Sequence, residues 1–239
     1  MDLRDMLIEG CRQLDIKVND TQVEQLLTYK DVLLEWNQKM NLTAIQDEKD
    51  VIIKHFLDSI TCLKVKEFKN EGKLIDVGTG AGFPGIPLKV FNPNIQLTLL
   101  DSLNKRLNFL KEVCNQLDLD GVQFSHGRAE DYGQDAKYRE QFDFVVARAV
   151  ASLNVLSEYC LPFVKMNGYF ICQKGPLVED ELKDAQKAIK VLGGEVEDLL
   201  SIQLPFSDIN HRIVIIKKVK QTPTKYPRKA GTPGKNPII

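Results

Sequence analysis

Two short apolar runs, each ending in an aspartate and separated by a glycine-rich turn, constrain this chain more than any other feature. The segment Leu74-Ile-Asp-Val-Gly-Thr-Gly-Ala-Gly-Phe-Pro-Gly85 ends its apolar run at Asp76 and then places glycines at 78, 80, 82 and 85. Sixteen residues beyond Gly85, the second run, Ile95-Gln-Leu-Thr-Leu-Leu100, ends in Asp101. Strand, glycine turn, helix, strand and carboxylate open an α/β sheet that binds an adenosine-bearing cofactor at the C-terminal ends of its strands. Glycines allow the tight turn and let backbone N–H groups approach a ligand. Asp101, at the tip of the second strand, is placed to accept hydrogen bonds from ribose hydroxyls.

Two cofactors claim these letters. Gly80-Ala-Gly82-Phe-Pro-Gly85 fits the dinucleotide pattern G-x-G-x-x-G. Counted from Asp76, the run reads D-x-G-x-G-x-G, the pattern of S-adenosylmethionine (SAM) methyltransferases. That pattern sets a carboxylate near the cationic end of the cofactor, where a pyrophosphate would gain nothing from it. The charge argument therefore favours SAM over NAD. An ordinary loop with no ligand is disfavoured by the position of Asp101.

The rest of the chain divides into three regions. Residues 1–70 read as helical, with Leu3, Met6, Leu7, Cys11 and Leu14 at helical spacing. A second helix opens at Asp20 or Thr21, where Thr21-Gln-Val-Glu24 fits a capping box, and a third covers about 48–64. His55 and Asp58 share a face of that third helix, which predicts a structural hydrogen bond before it predicts acid–base work. Residues 71–219 alternate strands and helices. Strands are expected at 73–77, 95–100, 121–126, 142–147, 168–174, 195–203 and 211–218. Helices are expected at 84–91, 103–117, 152–163 and 178–192. The last two strands are joined by a short turn, so the expected fold is α/β: a Rossmann-like seven-stranded sheet of the class I SAM-methyltransferase type. Its last strand is antiparallel, and a small helical region packed on the core precedes it. A dehydrogenase half would continue β-α-β.

The third region, 220–239, is rich in proline and glycine, which argues against a regular helix. The chain carries 32 basic and 33 acidic residues, but eight of the basic ones lie beyond Asp208, the last acidic residue. That asymmetry can steer a polyanion, and an extended arm lying on RNA or packing near the active face is expected. The five cysteines have no C-x-x-C spacing and read as reduced, buried residues of a cytoplasmic protein. The three histidines lack metal-like spacing, so no metal is expected. No apolar run approaches the ~20 residues of a membrane span, the N-terminus lacks signal-peptide character, and a monomer is expected.

Three constellations fall at strand tips. His126-Gly-Arg128-Ala-Glu130-Asp131 follows the third strand, where Glu130 or Asp131 can read an adenine amino group. Arg148-Ala-Val follows the fourth and faces the point of methyl transfer; Gln173-Lys174-Gly175 follows the fifth. Enzymes that methylate exocyclic amines often carry an N-P-P-Y-like motif after the fourth strand. Ala147-Arg-Ala149 offers no acceptor side chain there, which disfavours that chemistry.

Trp36-Asn…Asn41-Leu-Thr43, His55-Phe-Leu-Asp-Ser59, Asp76-Val-Gly-Thr-Gly-Ala-Gly-Phe-Pro-Gly-Ile-Pro87, Gly127-Arg-Ala-Glu130 and Ala147-Arg-Ala-Val-Ala151 together resemble one family. It is the bacterial small-subunit ribosomal RNA guanine-N7 methyltransferases, formerly called glucose-inhibited division protein B. The ending Lys225-Tyr-Pro-Arg-Lys-Ala-Gly-Thr-Pro-Gly-Lys-Asn-Pro237 resembles the tail of Gram-positive members. The resemblance runs from about residue 30 to the end. It implies SAM as cofactor and, as substrate, a guanine in a decoding-region loop of 16S rRNA, free or within the 30S subunit. It also implies cofactor contacts from Gly78, Gly80, Gly82, Phe83, Asp101, Ala129, Glu130 and Arg148. A basic cluster of Arg128, Arg148, Lys174 and Arg212 would hold RNA phosphate and orient the base. Phe83 and Tyr226 are candidates for stacking on bases. Guanine N7 has a lone pair and no proton to lose, so a site with arginines and no acid–base pair suits it. An NAD-dependent oxidoreductase and a catalytically silent RNA-binding or assembly factor are the alternatives from other classes.

Overall fold

The apolar runs become the strands of one sheet. β1 (Lys73–Val77), β2 (Gln96–Asp101), β3 (Val122–His126), β4 (Phe142–Arg148), β5 (Val164–Lys174), β6 (Gly194–Gln203) and β7 (Asn210–Lys218) assemble in the order β3-β2-β1-β4-β5-β7-β6. The computed structural model describes residues 1–68, 71–148, 151–175 and 178–239. The first five strands run parallel, and β7 is antiparallel to both β5 and β6. The link between β6 and β7 is a turn closed by Leu204 N–H donating to the Ile209 carbonyl. It is too short for a crossover, so the pair must be antiparallel.

Inner strands carry apolar residues on both sides because helices cover both faces of the sheet. Leu74 and Val146 point to one face, Ile75, Val77 and Val145 to the other, as the two-residue period of a strand requires. On the first face lie α1 (Leu3–Gln13), α2 (Asp20–Asn37) and a helical segment over 48–64. That segment comprises α3 (Glu48–Val51), a π-helical stretch (Ile52–Leu57), α4 (Asp58–Ile60) and a 3-10 turn (Thr61–Lys64). α5 (Gly85–Phe91) and α6 (Asn104–Gln116) complete this layer. Leu7, Leu26, Leu33, Phe56 and Phe109 share a single buried cluster with Leu74, Leu97 and Val146, so the N-terminal helices are part of the same core as the sheet. After the single turn α7 (Ala129–Tyr132), α8 (Leu153–Cys160) and α9 (Val178–Val191) cover the opposite face. The chain closes with a one-turn helix, α10 (Thr232–Lys235).

Four local expectations are corrected. The capping box of α2 is formed by Asn19 and Gln22, not by Thr21 and Glu24, since asparagine is the stronger N-cap and sits one residue ahead of the helix. The helix over 48–64 is continuous but widens to π geometry at Ile52–Leu57. The helix expected over 152–163 ends at Cys160, and Pro162 lies in a 3-10 turn, Leu161–Phe163. The proline- and glycine-rich tail contains one helical turn, with Pro233 at its start, where a missing N–H costs nothing. Residues 69 and 70, which close the N-terminal region, lie outside the described residues.

All five cysteines are buried and unpaired. Among the described residues no helix is long and apolar enough to cross a membrane. The strand order reverses between β1 and β4, so a crevice opens between their C-terminal ends, the place where open α/β sheets bind ligands. Gly78 follows the end of β1, and Arg148 ends β4.

Candidate active site

Asp76 lines neither of the two cavities at the strand ends. It is fully buried beneath the glycine loop, where its Oδ2 accepts hydrogen bonds from Thr79 Oγ1 at 2.8 Å and Gly85 N–H at 2.9 Å. Its Oδ1 has no hydrogen-bond partner, and burial pushes the carboxyl up to about 6. The carboxylate expected near the cationic end of the cofactor is a pin that holds the loop. The same geometry argues against a dinucleotide. The start of α5 donates Gly85 N–H to Asp76 and Ile86 N–H to the Gly82 carbonyl, and Pro84 and Pro87 have no N–H. No backbone donor is left there for a pyrophosphate.

Gly82 is also corrected. At φ +94° it leaves no room for a side chain: an added Cβ would lie 2.9 Å from both Ile86 Cδ1 and Leu110 Cδ2, and closer to the Tyr29 hydroxyl. It faces the interior, where Tyr29 Oη donates to the Ala81 carbonyl. Phe83 is buried too, its ring stacked on His55 at 4.4 Å and on Tyr29 at 5.3 Å, so it is not available to a base.

A cavity of about 360 Å³ lies at the ends of β1, β2 and β3. Of the expected cofactor residues, Gly78, Asp101, Ala129 and Glu130 line it, together with Arg128. Asp101 is 2% exposed; Gly80 N–H donates to its Oδ2 at 2.9 Å, Leu103 N–H to its Oδ1 at 2.9 Å, and Arg106 Nη1 reaches Oδ2 at 3.3 Å. Gly80 thus meets the site through Asp101. Asp131 is exposed and outside the lining, whereas Glu130 is buried and accepts the Gly231 N–H at 2.8 Å. Val155, Leu156, Tyr159 and Gly234 complete the wall, and none was singled out from sequence, because they arrive from α8 and from the chain end.

A second cavity, of about 690 Å³, adjoins the first along Ala151 and Ser152. Arg148, Gln173 and Lys174 enter it from β4 and β5, His55 and Asp58 from the N-terminal helical segment, and His211 from β7. Asp58, 2% exposed, is its hub: it accepts Arg148 Nη1 at 2.8 Å, lies 2.6 Å from His211 Nδ1, and is touched by Gln173 Nε2 at 3.3 Å. His55 and Asp58 are therefore joined through Arg148 rather than to each other. Burial and the neighbouring Arg148 charge push His55 down to about 3, so it stays neutral. Sequence spacing gave no signal for His211, which is 153 residues from Asp58.

The four residues expected to form one basic cluster are divided. Arg148 and Lys174 line the second cavity, Arg128 lines the first, and Arg212 lines neither. Lys174 Nζ is held by Glu181 and the Ala151 carbonyl, both at 2.6 Å, and Arg212, opposite Lys174 in the β5–β7 register, by Glu179 at 2.8 Å. Among the described residues, Arg128 alone of the four has no ion-pair partner. Ala149 and Val150 of the arginine motif lie outside the described residues.

The tail runs as a strap across α7 and α8. Arg139 donates to the carbonyls of Thr222 and Tyr226 at 2.6 and 2.7 Å, and Gln134 to that of Pro227 at 2.9 Å. Arg228 forms a two-pronged pair with the buried Glu158. Of the two expectations for this segment, packing near the active face is the one observed. Tyr226 is partly buried against the α8–α9 side of the core rather than presented to a base.

The family model described as rRNA small subunit methyltransferase G matches residues 22–210. The chain is 66% identical to the ribosomal RNA small subunit methyltransferase G of Alkaliphilus oremlandii, over 100% of both chains. The chain belongs to this family. Its fold is also that of two more distant solved structures. The fibrillarin pre-rRNA processing protein of Methanococcus jannaschii is 17% identical over 65% of this chain and 70% of its own, with a TM-score of 0.51. TYW2 of M. jannaschii, solved in complex with AdoMet, is 15% identical over 67% and 75%, also with a TM-score of 0.51. The seven-stranded class I methyltransferase sheet, read from the strand pattern, is the observed one.

Proposed function

We propose that this member of the family transfers a methyl group from SAM to N7 of a guanine in small-subunit (16S) ribosomal RNA, in a loop of the decoding region. The observation that carries the reading is the pair of adjoining cavities at the switch point of the sheet. The smaller one suits a nucleoside, with a carboxylate at the tip of β2 and an apolar wall of Leu100, Val155 and Leu156. Its volume lies within the range of ~300–1,000 Å³ typical of small-molecule sites. The larger one, of about 690 Å³, has room for a splayed-out base and is lined by Lys54, Arg148 and Lys174 together with the carboxylates of Asp58 and Glu181.

Bound there, SAM supplies an electrophilic methyl group on a sulfonium. Asp101 would take the ribose hydroxyls, Gly78 and Ala129 would approach the cofactor through backbone, and Glu130 would face it from α7. The chain's remaining task is to hold N7 in line and exclude water. No base is required, and His55 offers none: its Nδ1 lies 3.1 Å from Arg148 Nη2, so its lone pair is taken. Arg148 and Lys174 orient the RNA while each keeps its carboxylate partner. Arg128, exposed at the rim, is the freest phosphate contact of the four.

The test is transfer from labelled SAM to 30S subunits, or to 16S rRNA, lacking the modification. Borohydride and aniline cleavage then reads N7-methylguanine. Stoichiometric label at one guanine is expected. A folded, SAM-binding chain that labels neither substrate, or labels an exocyclic amine, sinks the reading.

A further inference from the structure

Asn37, Thr43 and His55 stand outside the cofactor cavity, yet hydrogen bonds link them in series to Arg148. Asn37 is the last residue of α2. Its Oδ1 accepts Leu42 N–H at 2.8 Å and Thr43 N–H at 3.0 Å, and its Nδ2 donates to the Thr43 carbonyl at 3.0 Å. One side chain thereby shapes the loop that follows the helix. Thr43 Oγ1 accepts Ile45 N–H at 3.0 Å and lies 2.8 Å from His55 Nε2. Arginine can only donate, so His55 Nδ1 is the acceptor from Arg148, and Nε2 carries the proton and donates to Thr43.

The backbone serves the same end. His55 lies within the π-helical stretch Ile52–Leu57, and Asp58 follows directly after it. Wider turns of this kind are rare and recur at functional sites. His55 and Asp58 thus meet the same guanidinium from one helical segment. Phe83 is the floor beneath it: its ring stacks on His55, and the Arg148 guanidinium lies 5.0 Å from its centroid. Arg148 itself stands on β4, adjacent to the strand that leads to Gly78.

We propose that Asn37, Thr43 and His55 form a positioning chain that fixes the Arg148 guanidinium at the crevice between β1 and β4. The Trp36-Asn37…Thr43 and His55…Asp58 motifs then encode one device, assembled from segments that share no strand or helix. Thr43 lines neither cavity and acts through His55; His55, at the wall of the larger cavity, acts through its hydrogen bond to Arg148. What Arg148 acts on rests on the methyl-transfer reading; its positioning does not.

The experiment compares the full-length wild type with Thr43→Val, His55→Asn and His55→Leu in two readouts. The first is steady-state transfer to 30S subunits, with SAM affinity measured by calorimetry. Thr43→Val and His55→Leu lower kcat between about tenfold and a hundredfold, while SAM affinity stays within twofold. His55→Asn recovers part of the loss, because its amide oxygen stands where Nδ1 stood. The second readout is nitrogen-resolved NMR of Arg148: separate Nη–H signals in the wild type, merged in Thr43→Val. Folded Thr43→Val and His55→Leu chains with wild-type kcat overturn the proposal. Loss of SAM binding in step with melting temperature also overturns it, since that marks a merely structural role. If the wild type transfers no methyl group, the methyl-transfer reading fails and the Arg148 signals decide the positioning: merging in Thr43→Val supports it, and no change refutes it.

Discussion

Replacing Asp76 by asparagine separates two jobs that a carboxylate beside a glycine loop can do. Buried with one oxygen unpartnered, Asp76 titrates at about 6 rather than at the ordinary 3.8. That shift of about two units corresponds to about 3 kcal/mol, at ~1.36 kcal/mol per unit. Between these values the unfolded chain has lost the proton that the folded chain keeps. This contribution is therefore fully present below pH 3.8 and is lost as pH rises through 6. Asparagine keeps an acceptor for Gly85 N–H and Thr79 Oγ1 and removes the titration. Its amide nitrogen, left without a partner, adds a pH-independent cost of ~1–3 kcal/mol. His55 runs the other way: lowered to about 3, it adds stability as pH rises toward its ordinary 6.5. The difference between variant and wild type therefore carries the test. Urea unfolding at pH 4.5 and 7.5 should show the variant gaining about 2 kcal/mol relative to wild type across that interval. SAM affinity should change by less than about threefold, since Asp76 does not line the cavity. Parallel pH curves would refute the buried-pin account. A hundredfold loss of SAM binding at unchanged stability would put the carboxylate back on the cofactor.

Further outcomes follow from the same contacts. Arg228→Ala leaves Glu158, 1% exposed, without its guanidinium and should cost about 2 kcal/mol of stability in thermal unfolding; an unchanged melting temperature would mean the strap is not anchored there. Removing residues 228–239 takes away Gly234 and the Gly231–Glu130 contact, so calorimetry should find weaker SAM binding. In the same truncation the salt slope of RNA binding should move by less than about one unit, the size of a single phosphate contact. Gly82→Ala forces a Cβ into a left-handed position beside Ile86 and Leu110, and should cost upward of ~2 kcal/mol in urea unfolding. Tyr29→Phe should recover part of that loss, because the hydroxyl is the nearest obstacle. Arg148→Lys should behave like Arg148→Ala in methyl transfer, since one ammonium cannot serve Asp58, His55 and the Lys54 carbonyl together.

The sequence by itself determined the sheet. Strand runs, glycine turns and the short link before β7 are local signals, and all seven strands lie within a few residues of the runs that announced them. It also determined the tips that carry Gly78, Asp101, Arg128 and Arg148, because a parallel sheet gathers its strand ends on one edge. Only the tertiary structure decided what those side chains do there. Asp76, which the motif sets near the cationic end of a cofactor, is a pin beneath the loop, since the direction a strand residue faces depends on which side the helices cover. Glu130 meets Gly231, 101 residues away, and Asp58 meets His211 across 153. Partners at such separations leave no trace in spacing, and the basic cluster read from the sequence becomes three ion pairs, Arg148–Asp58, Lys174–Glu181 and Arg212–Glu179, with Arg128 unpaired among the described residues. The same long-range closure joins Asn37 to Arg148 and turns two unexplained motifs into one support.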